Sequence, residues 1–484
     1  MELLVILLLP VLAAGLSIIP TKNWRFAAGA TILGTAVLFA LSLHTAMGID
    51  VSEQEKSFSF NNWLSCDGLS ALILLLVSFV GFMASLFSWG YIAHTVSEGR
   101  PDRVRRYYRR FNLFLLSMLA VPLLSQVAMV WIAVELTTLL SVFLVGFENT
   151  PESLEAAWKY VVLTCMGAAL ALIGVLILYW GLSISGGGEF TWSWLRTASS
   201  KIPPVFLTTA FFFFLVGFGA KAGLVPLHTW LPDAHSQAPS PVCALLSGVE
   251  TTTALYVLLR FLPMFSGFPE NPVPTWFLAF GLISVGVSAF LLIQVKDYKR
   301  LFAYSTIEHM GIILVAAGLS GGAGYLGAVY MITTHALTKS FCFFAAGAAL
   351  LVTKTREISS VRGLIRLSPL TGSSLMIGGL AIAGAPPFAV FLSEFSIIKA
   401  GIAQEQYWVI GALTFFIGIA FCGIMYQVNQ MVFGKGFNLG GQPTLPASCV
   451  ATLILAAVPV VVLGLFVPEP LHDLLRLAAL SLWR

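Results

Sequence analysis

Charge is what this sequence has least of. Only 10% of its 484 residues are Asp, Glu, Lys or Arg, while 58% are hydrophobic. A soluble domain carries nearer a quarter charged residues, so a water-soluble fold is excluded. Cysteine is scarce too. The six, at 66, 165, 243, 342, 422 and 449, form no CxxC or CxxH pair and stand mostly in apolar runs. That argues against a zinc, haem or iron–sulfur site in this chain and for small buried hydrophobes. No phosphate-cradling loop and no nucleophile–base arrangement is present, and a net charge of +4 does not point to nucleic acid. The N-terminal "MELLVILLLPVLAAGL" lacks the basic flank of a signal peptide, which predicts a first membrane span that is kept.

Long hydrophobic runs are what the chain has in plenty. A helix needs about 20 apolar residues to cross a bilayer. That rule predicts an all-α polytopic membrane protein of about fourteen spans, near 2–20, 25–47, 67–96, 112–126, 127–147, 153–181, 204–231, 238–262, 274–296, 298–319, 322–352, 370–403, 405–433 and 447–467. The largest loops expected are 48–66 and 182–203. With the N-terminus outside the cytoplasm, the cytoplasmic loops hold Lys22, Arg25, the arginines of "RPDRVRRYYRR" (Arg100 to Arg110), Lys296, Lys299, Arg300, Lys354, Arg356, Arg362, Arg366 and Lys435. Only Lys56, Arg196, Lys201, Arg260, Arg476 and Arg484 fall on the other side, as the positive-inside rule requires. The arginine run also suits a docking or lipid surface.

Eight charges remain inside or at the edges of spans: Lys159, Lys221, Lys339, Lys399, Glu135, Glu250, Glu308 and Glu394. Each costs roughly 2.5–3.5 kcal/mol at a helix centre, on the order of 20 kcal/mol together if they faced lipid. They must face the bundle interior, pair, or meet water. Two spans are also interrupted by proline. "VGFGAKAGLVPLHTWLPDAH" sets Lys221 five residues before Pro226, and "IAGAPPFAVFLSEFSIIK" sets Glu394 after Pro386 and Pro387. Broken backbone at membrane depth is tolerated only where protein or a wet cavity covers it. Two such spans in corresponding places point to a transporter with internal repeats. They are the seventh and twelfth, five spans apart, so the repeats would be inverted.

The other charges read as links between the breaks. His335 and Lys339 are i,i+4 and share one helix face. Glu308 and His309 are adjacent, and Glu250 opens a polar window with Thr251, Thr252 and Thr253. Glu135, mid-span, is the partner expected for Lys221, where the strength of the pair would set the lysine's proton affinity. His228, Asp233 and His235 form a candidate cytoplasmic access point, or simply cap broken helices. Lys159 is a weaker candidate, since Glu155–Lys159 is also an ordinary i,i+4 surface pair. Lys399 stands close enough to a span end to snorkel.

These residues carry a resemblance. "KAGLVPLHTWLPDAHSQAPSPVCALLSG", "DGLSALILLL", "VELTTLLSVFLVGF", "DYKRLFAYSTIEHMG", "HALTKSFCFFAAG" and "GAPPFAVFLSEF" follow one another in the order found in the antiporter-like proton-translocating subunits of complex I, Mrp antiporters and group 4 hydrogenases. Within that family they are similar to hydrogenase-4 component F of formate hydrogenlyase-type complexes. The resemblance implies fourteen helices, with spans 4–8 and 9–13 as inverted five-helix repeats. It suggests segments 1–111, 112–262, 263–433 and 434–484, the last a helix and a short amphipathic tail in place of the long lateral-helix extension of the largest relatives. Glu135, Lys221, Lys339 and Glu394 match the family's fifth-, seventh-, eleventh- and twelfth-helix charges, and His335, Glu308 and His309 would belong to the central axis. One position departs: the eighth-helix lysine common in the family is Thr252 here, with Glu250 two residues earlier. Either Glu250 takes over, or threonine-ordered water bridges the gap, or the axis is interrupted.

The resemblance implies a proton-translocating subunit with no cofactor of its own. Iron–sulfur clusters and NiFe or other redox centres would reside in partners: a peripheral hydrogenase or quinone-oxidoreductase-type arm, with other antiporter-like and small membrane subunits and lipids around it. The setting would be a prokaryotic cytoplasmic membrane, both termini outside the cytoplasm. The competing readings are a sodium/proton antiporter subunit and a non-pumping membrane anchor.

Overall fold

The computed structural model describes residues 2–19, 23–49, 63–96, 100–266, 268, 270–434 and 444–483. Lys22, Lys56, Lys435 and Arg484, used above for topology, lie outside the described residues. Among those described, the chain is helical throughout, with isolated β-bridges and no strand. The helices are α1 (Glu2–Leu16), α2 (Arg25–Met47), α3 (Gly68–Thr95), α4 (Pro101–Leu123), α5 (Val127–Val145), α6 (Pro151–Ile184), α7 (Trp192–Ala198), α8 (Pro204–Ala222), α9 (Trp230–Gln237), α10 (Ser240–Leu245), α11 (Thr251–Arg260), α12 (Val273–Ile293), α13 (Tyr298–Gly318), α14 (Gly321–Thr353), α15 (Leu364–Leu367), α16 (Pro369–Ile382), α17 (Ala389–Ala403), α18 (Tyr407–Phe433), α19 (Ala447–Leu465) and α20 (Glu469–Trp483). Among the described residues, eleven segments are long and apolar enough to cross a membrane, and α1 and α16 are shorter apolar helices. The protein is a multi-pass membrane protein.

One boundary differs from the sequence reading. The arginine run is not a loop before a span at 112–126 but the opening turns of α4, and the expected boundary at 111 falls inside that helix. Pro101 at the first helical position starts it. Tyr107, Tyr108 and Phe111 turn inward while Asp102 and Arg106 remain exposed, so the segment is amphipathic and escapes a rule that counts apolar length.

Burial separates an inner from an outer set. Ser240–Phe265 is buried at every position but the half-buried Arg260, and α13 is buried except at Arg300 and Tyr304, whereas most of α18 is exposed or half-buried. The inner helices carry most of the polar residues, because lipid-facing positions must be apolar while interior ones need only find partners. Close approach is bought by glycine in two reciprocal contacts. A Cβ on Gly167 of α6 would meet the Gly217 carbonyl of α8 at 2.8 Å, and one on Gly217 the Gly167 carbonyl at 2.6 Å. Gly281 of α12 and Gly311 of α13 stand the same way, at 2.8 and 2.7 Å. At one end of the bundle Arg260 grips both carboxylate oxygens of Asp67, which also caps α3 through Ser70 N at 2.9 Å. Arg260 is thus a half-buried fork–carboxylate clasp rather than a loop charge. The C-terminal α20 buries Leu474, Leu475, Ala478, Ala479 and Leu482 against the bundle, Leu477 lying over Gly68.

Both proline interruptions break the helix in the same frame. α8 stops at Ala222. Gly223 takes φ +83°, and Leu224 N closes on Gly219 O at 2.8 Å. α16 stops at Ile382. Gly384 takes φ +73°, and Ala385 N closes on Leu380 O at 3.0 Å. In each case a left-handed residue without a Cβ ends the helix, and a cis X–Pro bond follows three residues on, at Pro226 and Pro387.

Candidate functional site

At the first break Lys221 is buried with its ammonium 2.6 Å from Glu250 Oε1. It also donates to Thr138 Oγ1 at 2.6 Å and to Tyr160 Oη at 3.0 Å, while Tyr160 donates to Glu250 Oε1 at 2.8 Å. Four elements build this node: α8 supplies the cation, α5 and α6 its hydroxyl partners, and the eighth span the carboxylate. Glu250 ends a π-helical segment, Leu246–Glu250, between α10 and α11. The extra residue per turn there shifts the helix face, a device often found at functional sites. A charge in the interior is tolerable only when paired and hydrogen-bonded, and this node meets both conditions apart from Glu250 Oε2, which has no partner among the described residues.

The partner is not the one expected. Glu135 is half-buried and accepts from Cys165 Sγ at 2.9 Å, with no ion pair to Lys221. Thr138 lies about one turn on from Glu135 along α5, and it is Thr138, not Glu135, that reaches the ammonium. Thr252 is buried and spends its hydroxyl on its own helix, at 2.9 Å from Val249 O and 3.3 Å from Gly248 O. Tyr160, Thr138 and Ser141, which lies 2.7 Å from Tyr160 Oη, were not singled out from sequence. Hydroxyls in apolar helices are too common to signal a site.

From this node a row of buried polar groups runs toward the second break. Ser247 Oγ meets Thr306 Oγ1 at 2.6 Å. His335 Nε2 lies 3.0 Å from Ser247 O, and His335 and His309 meet Nδ1 to Nδ1 at 3.1 Å. His309 Nε2 then reaches Ile382 O at 3.1 Å, the last residue of α16. Lys339 donates to Phe302 O at 2.9 Å and to Ser305 Oγ. Glu308 is buried, its Oε2 without a partner among the described residues. Glu394 is buried at the second break, its Oε2 against Gly384, where an added Cβ would come within 2.2 Å of it. The two breaks and the helices between them bring together Lys221, Glu250, Thr252, Glu308, His309, His335, Lys339 and Glu394; Glu135 stands to one side.

The proposed access residues divide. His228 is half-buried, its Nδ1 3.3 Å from Pro226 O. Asp233 bridges Lys159 at 3.1 Å and Arg300 at 2.7 Å, and Lys159 also holds Glu155 at 2.7 Å. Lys159 therefore joins an ionic bridge between α6, α9 and α13. His235 is fully buried. Nδ1 lies 2.7 Å from Leu231 O, and Nε2 has no partner among the described residues. Two open cavities flank this end of α9, sharing Ser236 and Gln237. One, of about 490 Å³, includes Glu148, Lys299 and Arg356; the other, of about 460 Å³, includes Asp297, Arg300 and Tyr304. Lys299, counted as a loop charge from sequence, is instead buried, donating to Ser236 O at 3.1 Å and Ala238 O at 2.5 Å. The C-terminal carbonyls of α9 attract it as they attract any cation.

Comparison with known proteins agrees with this architecture. The family described as NADH:quinone oxidoreductase/Mrp antiporter, transmembrane, matches residues 125–420, and that described as NADH-ubiquinone oxidoreductase (complex I), chain 5 N-terminus, matches 54–108. The chain is 38% identical over 381 residues to a hydrogenase-4 component F homolog of Methylacidiphilum infernorum, covering 76% of this chain and 79% of that one. It is 31% identical over 347 residues to hydrogenase-4 component B of Escherichia coli, covering 69% of this chain and only 50% of that one. A chain of the membrane-bound sulfane sulfur reductase, an archaeal respiratory membrane complex, has the same fold, with a TM-score of 0.86, 23% identity, and 99% and 97% of the two chains covered. On the match across 125–420 and the 38% identity over most of both sequences, this chain belongs to the NADH:quinone oxidoreductase/Mrp antiporter family of membrane subunits.

Proposed function

We propose that this subunit moves protons along the mid-membrane row from Lys221–Glu250 through the His309–His335 pair and Lys339 to Glu394, in a redox-driven complex of the hydrogenase-4 or complex I type. The observation that carries the reading is the Lys221–Glu250 pair, buried at a helix break with a 2.6 Å contact. A lysine paired with a carboxylate changes its proton affinity when that carboxylate moves or is neutralised. Charge movement in a neighbouring subunit is the switch. In this reading Glu250 takes over from the lysine that Thr252 replaces, and Glu135, half-buried on α5, senses the neighbour. Protons reach the row from the cavities beside His235 and Asp233. The reading includes a prokaryotic cytoplasmic membrane, both termini outside the cytoplasm, inverted repeats over spans 4–8 and 9–13, and a peripheral arm that holds the iron–sulfur and NiFe or other redox centres.

The test is proton uptake in proteoliposomes holding the parent complex, with Lys221→Ala against wild type. Redox turnover that continues or declines while uptake collapses is the expected result. Uptake and turnover both unchanged would make the chain an anchor. Uptake that follows sodium and needs no electron donor would make it an antiporter subunit.

A further inference from the structure

The middle of the row yields to proton accounting. His309 and His335 make three contacts in line: Ile382 O to His309 Nε2 at 3.1 Å, Nδ1 to Nδ1 at 3.1 Å, and His335 Nε2 to Ser247 O at 3.0 Å. A carbonyl only accepts, so each outer contact needs a proton on Nε2. The inner contact needs one as well, because two bare imidazole nitrogens at that distance present lone pair to lone pair. Three contacts require three protons, and two neutral imidazoles carry two. We propose that His309 and His335 hold a third proton as a cationic pair, shared between the two Nδ1 atoms, and that this pair is the junction that hands protons from the first break to the second. This rests on the proton-path reading above.

The two carbonyls are unequal, and the inequality gives the junction a direction. Ile382 ends α16, and the residue four further on is Pro386, which has no N–H, so the backbone offers its carbonyl no i+4 donor. Ser247 lies in the π-helical segment and also accepts from Thr251 Oγ1 at 2.8 Å. When the pair holds only two protons, the vacancy falls at Ser247, whose carbonyl keeps another donor. His309 then donates through Nε2 to Ile382 O, His335 donates through Nδ1 to His309, and His335 Nε2 is bare on the Glu250 side. A proton arriving there completes the cation. The shared proton crosses from one Nδ1 to the other, and one proton leaves from His309 Nε2 beside the second break. The pair ends neutral with one proton moved across it and the vacancy now at Ile382, and both rings must reorient to return that vacancy to Ser247 before the next proton arrives.

Charged groups on the neighbouring elements bias the cation. Lys339, one turn along α14 from His335, opposes it when charged; Glu308 on α13, Glu394 on α17 and Glu250 on the π-helical segment favour it when ionised. The third proton and the Lys339 proton therefore alternate.

The deciding measurement is solid-state NMR of the intact parent complex in liposomes, with this chain [¹⁵N]histidine-labelled, near neutral pH. Loss of signals in His309→Asn and in His335→Asn assigns the rings. The expected spectrum has both Nε2 atoms protonated and a direct correlation between the two Nδ1 atoms. An Nε2 that stays unprotonated, or no Nδ1–Nδ1 correlation, overturns the proposal. If neither variant assembles, the wild-type spectrum alone decides, since that correlation identifies the pair. Lys339→Met should move the loss of the third proton to higher pH, and an unmoved midpoint overturns the alternation. A missing signature with uptake still dependent on Lys221 removes the junction and leaves the path. The signature with uptake indifferent to Lys221 does the reverse.

Discussion

The two broken helices share a backbone device and differ in chemistry. Each ends on a left-handed glycine with a proline three residues later, Gly223 with Pro226 and Gly384 with Pro387. Yet Lys221 at the first is held by a carboxylate at 2.6 Å and two hydroxyls. Glu394 at the second has no ion pair or hydrogen bond among the described residues and lies against bare glycine backbone. The comparison teaches that a helix break supplies room and freed backbone groups, while the flanking helices decide what the room is for. A paired charge has to be separated before its proton can move. A lone carboxyl needs only an acceptor or donor brought near.

Breaking the pair at the first site should have the largest effect. Lys221→Ala leaves Glu250 buried without its cation, a loss of about 3–5 kcal/mol. Thermal unfolding of the purified complex should register it alongside the collapse of uptake. The double replacement Lys221→Met with Glu250→Leu should recover most of that stability and none of the proton movement. If the double variant still pumps, the pair is structural.

At the second break the sharpest probe is Gly384→Ala. A side chain at φ +73° costs about 1–2 kcal/mol, and its Cβ collides with the Glu394 carboxylate. Gly223→Ala carries the same backbone penalty but meets only the flexible tip of Leu231, at 2.4 Å. The two should therefore lose similar stability, with uptake much lower in the Gly384 variant. Equal uptake would mean that the Glu394 position is not used.

Tyr160→Phe removes one hydroxyl that serves both members of the Lys221–Glu250 pair. A cost of about 1–3 kcal/mol is expected, with slowed rather than abolished uptake, read in the same liposome assay. The smallest change belongs to Asp233→Asn. Its bridge to Lys159 and Arg300 is partly exposed, and such pairs contribute less than about 1 kcal/mol. Stability should hardly move, and any change should fall on the initial uptake rate and vary with salt.

Much of this was legible from residues alone. A proline within an apolar run, with a charge beside it, marks both breaks, since an orphaned carbonyl and a lone charge are both costly in lipid. The same cost sends Glu250, Glu308, His309, His335 and Lys339 inward. The arginine run and Lys299 were misplaced because a charge count does not see amphipathicity or the carbonyls that a helix end offers. Tyr160 and Thr138 left no trace because their residue types are ordinary where they stand.

The sequence by itself determined the solvent, the breaks and the set of charges that must be buried. These follow from transfer free energies and missing donors, properties of single residues in a given medium. Only the tertiary structure decided the pairings: Glu250 rather than Glu135 on Lys221, and His335 against His309. Pairing depends on helix rotation of about 100° per residue and on an extra residue in a π-helical turn. Electrostatic and hydrogen-bond energies change steeply over an ångström or two, a distance that no pattern of residue types along the chain can resolve.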